Sequence, residues 1–136
     1  MTTTLQQAIS HRRRGDLARA EAMYREILAR APRDADAMHF LGVLRTQQHR
    51  YDEAIALIGA AAGVAPGNAG IHSNLGLALK AAGRLDDALA SFDRALALAP
   101  AFPEALNNRG NVQLALARPA EALASFDRAV NLRPEY

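Results

Sequence analysis

The chain has 136 residues, of which 50% are hydrophobic but only 5% aromatic, and its formal net charge at pH 7 is +2. It contains no Cys and no Trp, which excludes disulfides and Cys-based zinc sites and predicts a core of Ala and Leu, typical of closely packed helices. Residues 1–14 lack the hydrophobic core of a signal peptide, and no stretch is long and apolar enough to span a membrane. The sequence therefore predicts a cytoplasmic protein.

Two passages of the sequence nearly repeat each other 34 residues apart. Residues 83–100 read GRLDDALASFDRALALAP, and residues 117–134 read ARPAEALASFDRAVNLRP. Extending this period backwards divides the chain into four blocks, 1–34, 35–68, 69–102 and 103–136, whose positions we number as places 1 to 34. A fixed period of this length indicates stacked copies of one supersecondary unit.

Each block predicts a helical hairpin, with turns near places 15–17 and 31–34. A small residue at place 8 of the first helix and Ala at place 20 of the second allow close approach, and a large apolar residue at place 24 fills the space between them. Pro at place 32 ends the second helix because it lacks an N–H and its ring clashes with the preceding turn. In block order these residues are Ala8, Gly42, Gly76 and Gly110; Ala20, Ala54, Ala88 and Ala122; Tyr24, Ile58, Phe92 and Phe126; and Pro32, Pro66, Pro100 and Pro134.

Two local departures from the pattern carry their own expectations. Residues 59–63 read GAAAG and place two Gly inside a second helix, where each costs about 1 kcal/mol relative to Ala. We expect a locally soft helix there, with a close-packed GxxxG contact as the alternative. Arg109 stands at place 7, where Leu41 and Leu75 stand in neighbouring blocks, and we expect its stem to pack while its head reaches solvent.

The period, the small–small–large set and the closing proline together resemble the tetratricopeptide repeat. The resemblance covers the whole chain, although places 4 and 11 lack the aromatic residues often found in that family. It implies an all-α fold: an α-α superhelix, or solenoid, of four 34-residue helical hairpins that form a single domain over residues 1–136.

The resemblance also implies a binding surface, because the family lines the concave side of its superhelix with one stripe of each first helix and binds peptides or partner segments there. The residues of this chain that fall on the stripe and that we predict to contact a peptide are Gln6, Arg13, His39, Phe40, Val43, Gln47, Asn74, Leu77, Lys80, Asn107, Asn108 and Asn111.

Asn residues are the most distinctive part of this stripe. Asn74 and Asn108 share place 6 one block apart, and Gln6 has the same place in block 1, while Phe40 interrupts the series in block 2. A side-chain amide both donates and accepts, so stacked amides can hold a peptide backbone whatever its sequence. The segments SNLG and NNRGN resemble first-helix segments in the repeat region of O-linked N-acetylglucosamine transferases, which bind substrate peptides in this way. The alternative is that Asn is a tolerated polar residue on a solvated helix face.

The sequence offers no catalytic constellation. The four His show no HExxH spacing, no Gly-rich phosphate loop is present, and the Ser residues lack nucleophile-elbow flanks. We therefore predict neither catalysis nor a metal or other cofactor. The run Arg12–Arg14 lacks interleaved aromatic residues and suits the negative end of a helix dipole, which argues against nucleic acid as a partner.

Three functions stay open. The leading one is a non-catalytic scaffold that binds an extended protein segment, and the second is a substrate-recruiting arm of a larger enzyme such as a glycosyltransferase. The third is self-association, because Leu123, Phe126 and Val130 would leave an apolar face of the last second helix uncovered. We expect either that the natural chain continues past Tyr136 or that this face packs against another chain.

Overall fold

The computed structural model describes residues 4–133, and this range contains eight α-helices and no strand. Pro134 and Tyr136, which entered the sequence analysis, lie outside it. The helices are α1 (Leu5–Arg13), α2 (Leu17–Arg30), α3 (Ala35–Gln47), α4 (Tyr51–Val64), α5 (Ala69–Ala81), α6 (Leu85–Leu98), α7 (Pro103–Ala115) and α8 (Pro119–Leu132). The predicted all-α fold of helical hairpins is confirmed.

The helix boundaries follow the 34-residue period. The first helices α3, α5 and α7 run from place 1 to place 13, and every second helix runs from place 17 to place 30. Each of α2, α4 and α6 ends two residues before Pro32, Pro66 or Pro100. The residue between is not helical, as in Ala31 (φ −137°, ψ 83°) and Ala99 (φ −138°, ψ 85°), because a following Pro disfavours helical backbone.

A left-handed residue follows every first helix at place 15. Its φ is 83° at Gly15, 61° at His49, 80° at Gly83 and 59° at Ala117. The N–H of the next residue donates to the carbonyl at place 11, as from Arg118 to Gln113 at 2.8 Å. This is the Schellman pattern, in which the left-handed backbone ends a helix and satisfies its last carbonyls.

The chain divides after Pro66 into two compact units. Unit 1 contains α1 to α4 and unit 2 contains α5 to α8. Helix pairing is the same in both: the two helices of each hairpin pack together, the second helix of the earlier hairpin contacts the first helix of the later one, and the two first helices contact each other. That residues 1–136 act as one domain stays a prediction.

The predicted close contacts inside the hairpins are present. A Cβ added to Gly76 would lie 2.7 Å from Cε1 of Phe92, and one added to Gly110 would lie 2.5 Å from Cε1 of Phe126. Gly42 is equally tight against Ile58, which is fully buried. Only Gly lets these helix pairs approach so far.

The GAAAG segment makes no such contact. A Cβ added to Gly59 or Gly63 would meet nothing within 4 Å. The alternative of a close-packed GxxxG contact is therefore wrong, and both Gly lie in the regular helix α4 without a neighbour that requires them.

Arg109 corrects another expectation. Its head does not reach freely into solvent: Nε donates to Ser125 Oγ at 3.1 Å, and Nη1 lies 3.1 Å from Asp93 Oδ1. Ser125 Oγ in turn donates to Gln113 Oε1 at 2.7 Å. The guanidinium thus connects α6 to α8, because hydrogen-bond acceptors on both helices lie within its reach.

Candidate binding surfaces

The first-helix surface of unit 1 consists of the predicted residues on α1 and α3, two helices that contact each other. Gln6, Arg13 and Gln47 are exposed, and Phe40 and Val43 are half-buried. This surface is mixed in chemistry, since amides and a cation stand beside apolar side chains.

Arg12 joins the two helices of this surface. Its Nη1 donates to Gln47 Oε1 at 3.2 Å, and its Cζ lies 5.9 Å from the centre of the Phe40 ring, a cation–π arrangement. Sequence reasoning did not include Arg12 among the site residues. The sequence does place Arg12 on the same helix stripe as Arg13. The run of three Arg, however, does not indicate which of them contacts the neighbouring helix α3.

His39 is buried rather than available to a ligand. His39 is only 5% exposed. Its ring stacks on the ring of Phe40, with the two ring centroids 4.6 Å apart. Burial lowers the pKa of His39 to about 4; the nearby Asp36 opposes this shift and Arg12 adds to it. His39 therefore supports the position of Phe40 as a neutral ring.

The first-helix surface of unit 2 carries the predicted amides. Asn74, Leu77 and Lys80 on α5 are half-buried, as are Asn107, Asn108 and Asn111 on α7. Asn74 and Asn108 occupy the same place on two helices that contact each other. Within residues 4–133, the side-chain amides of Asn107, Asn108 and Asn111 make no hydrogen bond to the protein.

The sequence fixes the starts of these two helices in different ways. Asn68 caps α5, with its Oδ1 accepting from the backbone N–H of Ile71 at 3.2 Å. Pro103 begins α7, where a missing N–H has no cost and the fixed φ suits a first helical turn. Both helices then run to place 13, so equal places on α5 and α7 are separated by one whole repeat.

An apolar face is exposed on the last hairpin. Leu123 is 61% exposed and Val130 41%, whereas Phe126 is half-buried against Gly110. The residues one repeat earlier behave differently: Leu89 is half-buried and Leu96 is only 6% exposed. Leu89 and Leu96 lie on α6, against which the first helix α7 packs, whereas Leu123 and Val130 lie on α8, the last helix described.

Two structural features are absent from the described part of the chain. Among residues 4–133, no three His, Asp or Glu side chains are grouped closely enough to hold a metal ion. None of the helices in the same range combines the length and the apolar character that crossing a membrane requires.

Comparison with known families agrees with the hairpin geometry. The tetratricopeptide repeat profile matches residues 5–69 and 73–136. The chain belongs to the tetratricopeptide repeat family, a fold that serves as a scaffold for protein interactions.

Particular relatives share parts of this chain. A MamA structure from AMB-1 is 30% identical and covers 97% of this chain and 72% of that one, with a TM-score of 0.79. MamA from Desulfovibrio magneticus RS-1 covers 96% of this chain and 73% of its own with a TM-score of 0.86, but at 22% identity it shows the fold alone. The cellulose synthase 2 operon protein C of Komagataeibacter xylinus is 41% identical over 69 residues, which are 51% of this chain and 5% of that protein. The chain thus spans a small fraction of that relative's length.

Proposed function

We propose that this chain is a protein-interaction module that holds an extended peptide segment on the first-helix surface of unit 2. The observation that carries the proposal is the set of half-buried amides on α7, Asn107, Asn108 and Asn111, which make no hydrogen bond within the described residues. Each offers two N–H donors and a carbonyl acceptor. Such groups match the N–H and C=O groups that an extended peptide backbone presents.

The chemistry of this surface favours backbone recognition over a charge code. Of the six predicted residues in unit 2, only Lys80 is charged, and Leu77 adds an apolar contact. In unit 1 the corresponding surface presents Phe40, Val43 and Gln47, which suits an apolar side chain of the same or another segment. The likeness of SNLG and NNRGN to the repeats of O-linked N-acetylglucosamine transferases is consistent with this chemistry and stays an interpretation.

The test compares a double variant with a matched control. Peptides selected on the full chain from a random display library are measured against Asn74→Ala/Asn108→Ala and against Asn131→Ala, which removes an exposed amide from α8. We expect the double variant to retain its helicity and lose binding, and the control to bind like the parent. Equal binding by all three proteins would refute the assignment.

Backbone recognition has a second signature. A selected peptide resynthesised with N-methylated amides keeps its side chains but loses backbone donors. We expect N-methylation to abolish binding, while substitution of single peptide side chains by Ala has a smaller effect. The reverse order of effects would assign recognition to side chains and contradict the role of the amides.

Self-association is the second candidate function, and the exposure of Leu123 and Val130 favours it. Residues at the same places one repeat earlier, Leu89 and Leu96, are more buried and lie on a helix against which a first helix packs. A first helix of another copy would pack on Leu123 and Val130 in the same way. We expect sedimentation velocity to show a concentration-dependent increase in mass that Leu123→Glu abolishes. Leu98→Glu, which charges an exposed Leu on α6, should not; a monomer at all concentrations would end this candidate.

The role as an arm of a larger enzyme stays a prediction. The match to a small part of the much longer cellulose synthase 2 operon protein C is compatible with it, and the reading frame beyond Tyr136 tests it directly. The cytoplasmic location also stays a prediction, with which the absence of Cys is compatible.

A further inference from the structure

Unit 1 carries a groove of about 640 Å³ that the first-helix surface does not include. Its walls come from the second helices α2 and α4, and buried residues of α3 form its base. Leu28, Leu41 and Leu57 give it an apolar lining. We call this feature the outer groove. Its size lies within the range of ordinary ligand sites.

The outer groove has a surplus of positive charge. Arg25, Arg45 and Arg50 line it, and within residues 4–133 the carboxylates that pair with them are Glu21 and Glu53. Arg45, whose side chain is 4% exposed, pairs with both acids, with its Nε 3.1 Å from Glu53. Three guanidinium groups thus share two carboxylates.

The shared carboxylates leave Arg25 as the available cation. In the described part of the chain it pairs with Glu21 alone, at 3.8 Å, and Glu21 also pairs with Arg45. The side chain of Arg25 is 65% exposed. A carboxylate brought to the edge of the groove would therefore gain a partner without displacing a close ion pair.

The corresponding residues of unit 2, 68 positions later, are arranged differently. Asp93 replaces Arg25, Arg109 replaces Leu41, Gln113 replaces Arg45 and Ser125 replaces Leu57. These four residues form the hydrogen-bonded network described above, in which Arg109 connects α6 to α8. In unit 1 the connection between α2 and α4 is made instead by Arg45, through Glu21 and Glu53, and the shorter, apolar Leu41 leaves an open groove beside it.

We propose that the outer groove of unit 1 is a second binding site, which takes a leucine-sized apolar side chain of a peptide segment that also bears an adjacent acidic residue. The apolar side chain lies on Leu28, Leu41 and Leu57, and the acidic residue pairs with Arg25. The groove is open along its surface, which suits a side chain presented by a peptide. A fatty acid carries the same two chemical groups, but its chain would stay in contact with water along that open side.

The site is tested by selecting peptides that bind the full chain but not a variant in which the groove is closed. A display library of random short peptides is selected on the full chain, and binders of a closed-groove variant are removed. The closed-groove variant carries the four residues of unit 2 in place of those of unit 1: Arg25→Asp, Leu41→Arg, Arg45→Gln and Leu57→Ser. We expect the remaining peptides to combine Leu, Ile or Met with a neighbouring Asp or Glu.

A single exposed substitution keeps the test decisive if the closed-groove variant fails to fold. Arg25→Glu reverses the charge of a side chain that is 65% exposed. We expect it to weaken binding of a selected synthetic peptide about tenfold or more, as for loss of a charge-assisted hydrogen bond. Arg94→Glu makes the same charge change at an exposed position of α6 and should leave the affinity unchanged.

The outcomes separate this site from the first-helix surface. Asn74→Ala/Asn108→Ala should bind these depleted peptides like the parent, whereas the peptides that also bind the closed-groove variant are the ones that test the first-helix surface. Failure of one proposal therefore does not decide the other. Selected peptides without the apolar–acidic pattern, or an Arg25→Glu variant with parental affinity, would overturn the proposal. Displacement of the peptide by decanoate at equal concentration would overturn the choice of a peptide over a fatty acid.

Discussion

The ring of Phe126 lies so close to Gly110 that a methyl group on Gly110 would be 2.5 Å from Cε1 of the ring. Phe92 and Gly76 repeat this relationship one block earlier, with a corresponding distance of 2.7 Å. Phe92 is fully buried, so its ring has no open space into which it could withdraw. In each hairpin of unit 2, a phenyl ring of the second helix therefore occupies the space that a Cβ on the Gly of the first helix would need.

Gly76→Ala should lower the free energy of unfolding by about 1–3 kcal/mol, the usual cost of overpacking a core. The helix propensity of Ala opposes this loss by up to about 1 kcal/mol, so a net destabilisation is the informative sign. Urea unfolding followed by circular dichroism measures it. An increase in stability would show that the contact between α5 and α6 is looser than described.

Gly59→Ala and Gly63→Ala should have the opposite effect. Nothing lies within 4 Å of a Cβ at either position, so Ala adds helix propensity without a clash. Each substitution should raise the free energy of unfolding by about 1 kcal/mol, measured by the same urea titration. Destabilisation by either one would indicate a contact that requires Gly in α4.

The left-handed turns predict opposite effects of two further substitutions. Ala117 has a φ of 59°, and a side chain at such a φ costs about 1–2 kcal/mol. Ala117→Gly should therefore stabilise the protein, although the greater freedom of Gly in the unfolded chain reduces the gain. Gly83→Ala, at the same place with a φ of 80°, should destabilise it. Thermal unfolding of both variants tests the pair, and shifts of equal sign would contradict the shared backbone conformation.

His39 predicts a loss of stability on mild acidification. Its pKa is about 4 in the folded protein, against an ordinary value of 6.5, so the unfolded chain takes up the proton first as the pH falls. The stabilisation is complete above pH 6.5 and declines between pH 6.5 and 4, by up to about 3 kcal/mol. Urea unfolding at a series of pH values should show this decline.

A matched pair of variants isolates the His39 effect. His39→Gln should flatten the profile between pH 6.5 and 4, because no imidazole is left to protonate. His49→Asn, at an exposed histidine in a left-handed turn that Asn tolerates, should keep the parental slope. Identical slopes in all three proteins would assign the acid sensitivity to other groups.

The helices could be predicted because the same residues mark their positions in each copy of the repeat. A small residue at place 8, Ala at place 20, a large residue at place 24 and Pro at place 32 recur in the described hairpins, and the helix ends follow them. The resemblance to tetratricopeptide repeats rested on the same residues, and the family match confirms it. Repetition makes such a prediction robust, since an irregular block is corrected by its neighbours.

Side-chain partners could not be predicted in the same way. That Arg109 meets Asp93 and Ser125, or that Arg45 is buried between Glu21 and Glu53, depends on the distance between helices and on how far a long side chain reaches. Periodicity assigns a residue to a helix face, but not to one acceptor among several. The left-handed conformation at place 15 was within reach of the sequence, because two of its four residues are Gly.

Burial was also underestimated for His39. Its place on the stripe suggested a contact residue, yet the ring lies under Phe40 and is only 5% exposed. The angular position of place 5 is intermediate between the helix face toward the neighbouring first helix and the face toward solvent. In such a position the size of the neighbouring side chain decides exposure, and Phe40 is large enough to cover the imidazole.

Equal helix bounds in successive blocks have a consequence for how such a gene changes in length. Recombination that duplicates or deletes one 34-codon block joins two chain segments at the same place of the repeat. The hairpins on either side of the junction then contact each other through the same places of the repeat as before, place 21 (Leu89 and Leu123) and place 28 (Leu96 and Val130). Insertions of other lengths rotate those positions away from the partner helix. Whole-hairpin gain or loss is thus the mutational step that the architecture tolerates most readily, and each added hairpin brings a fresh stripe on which a different recognition chemistry can evolve.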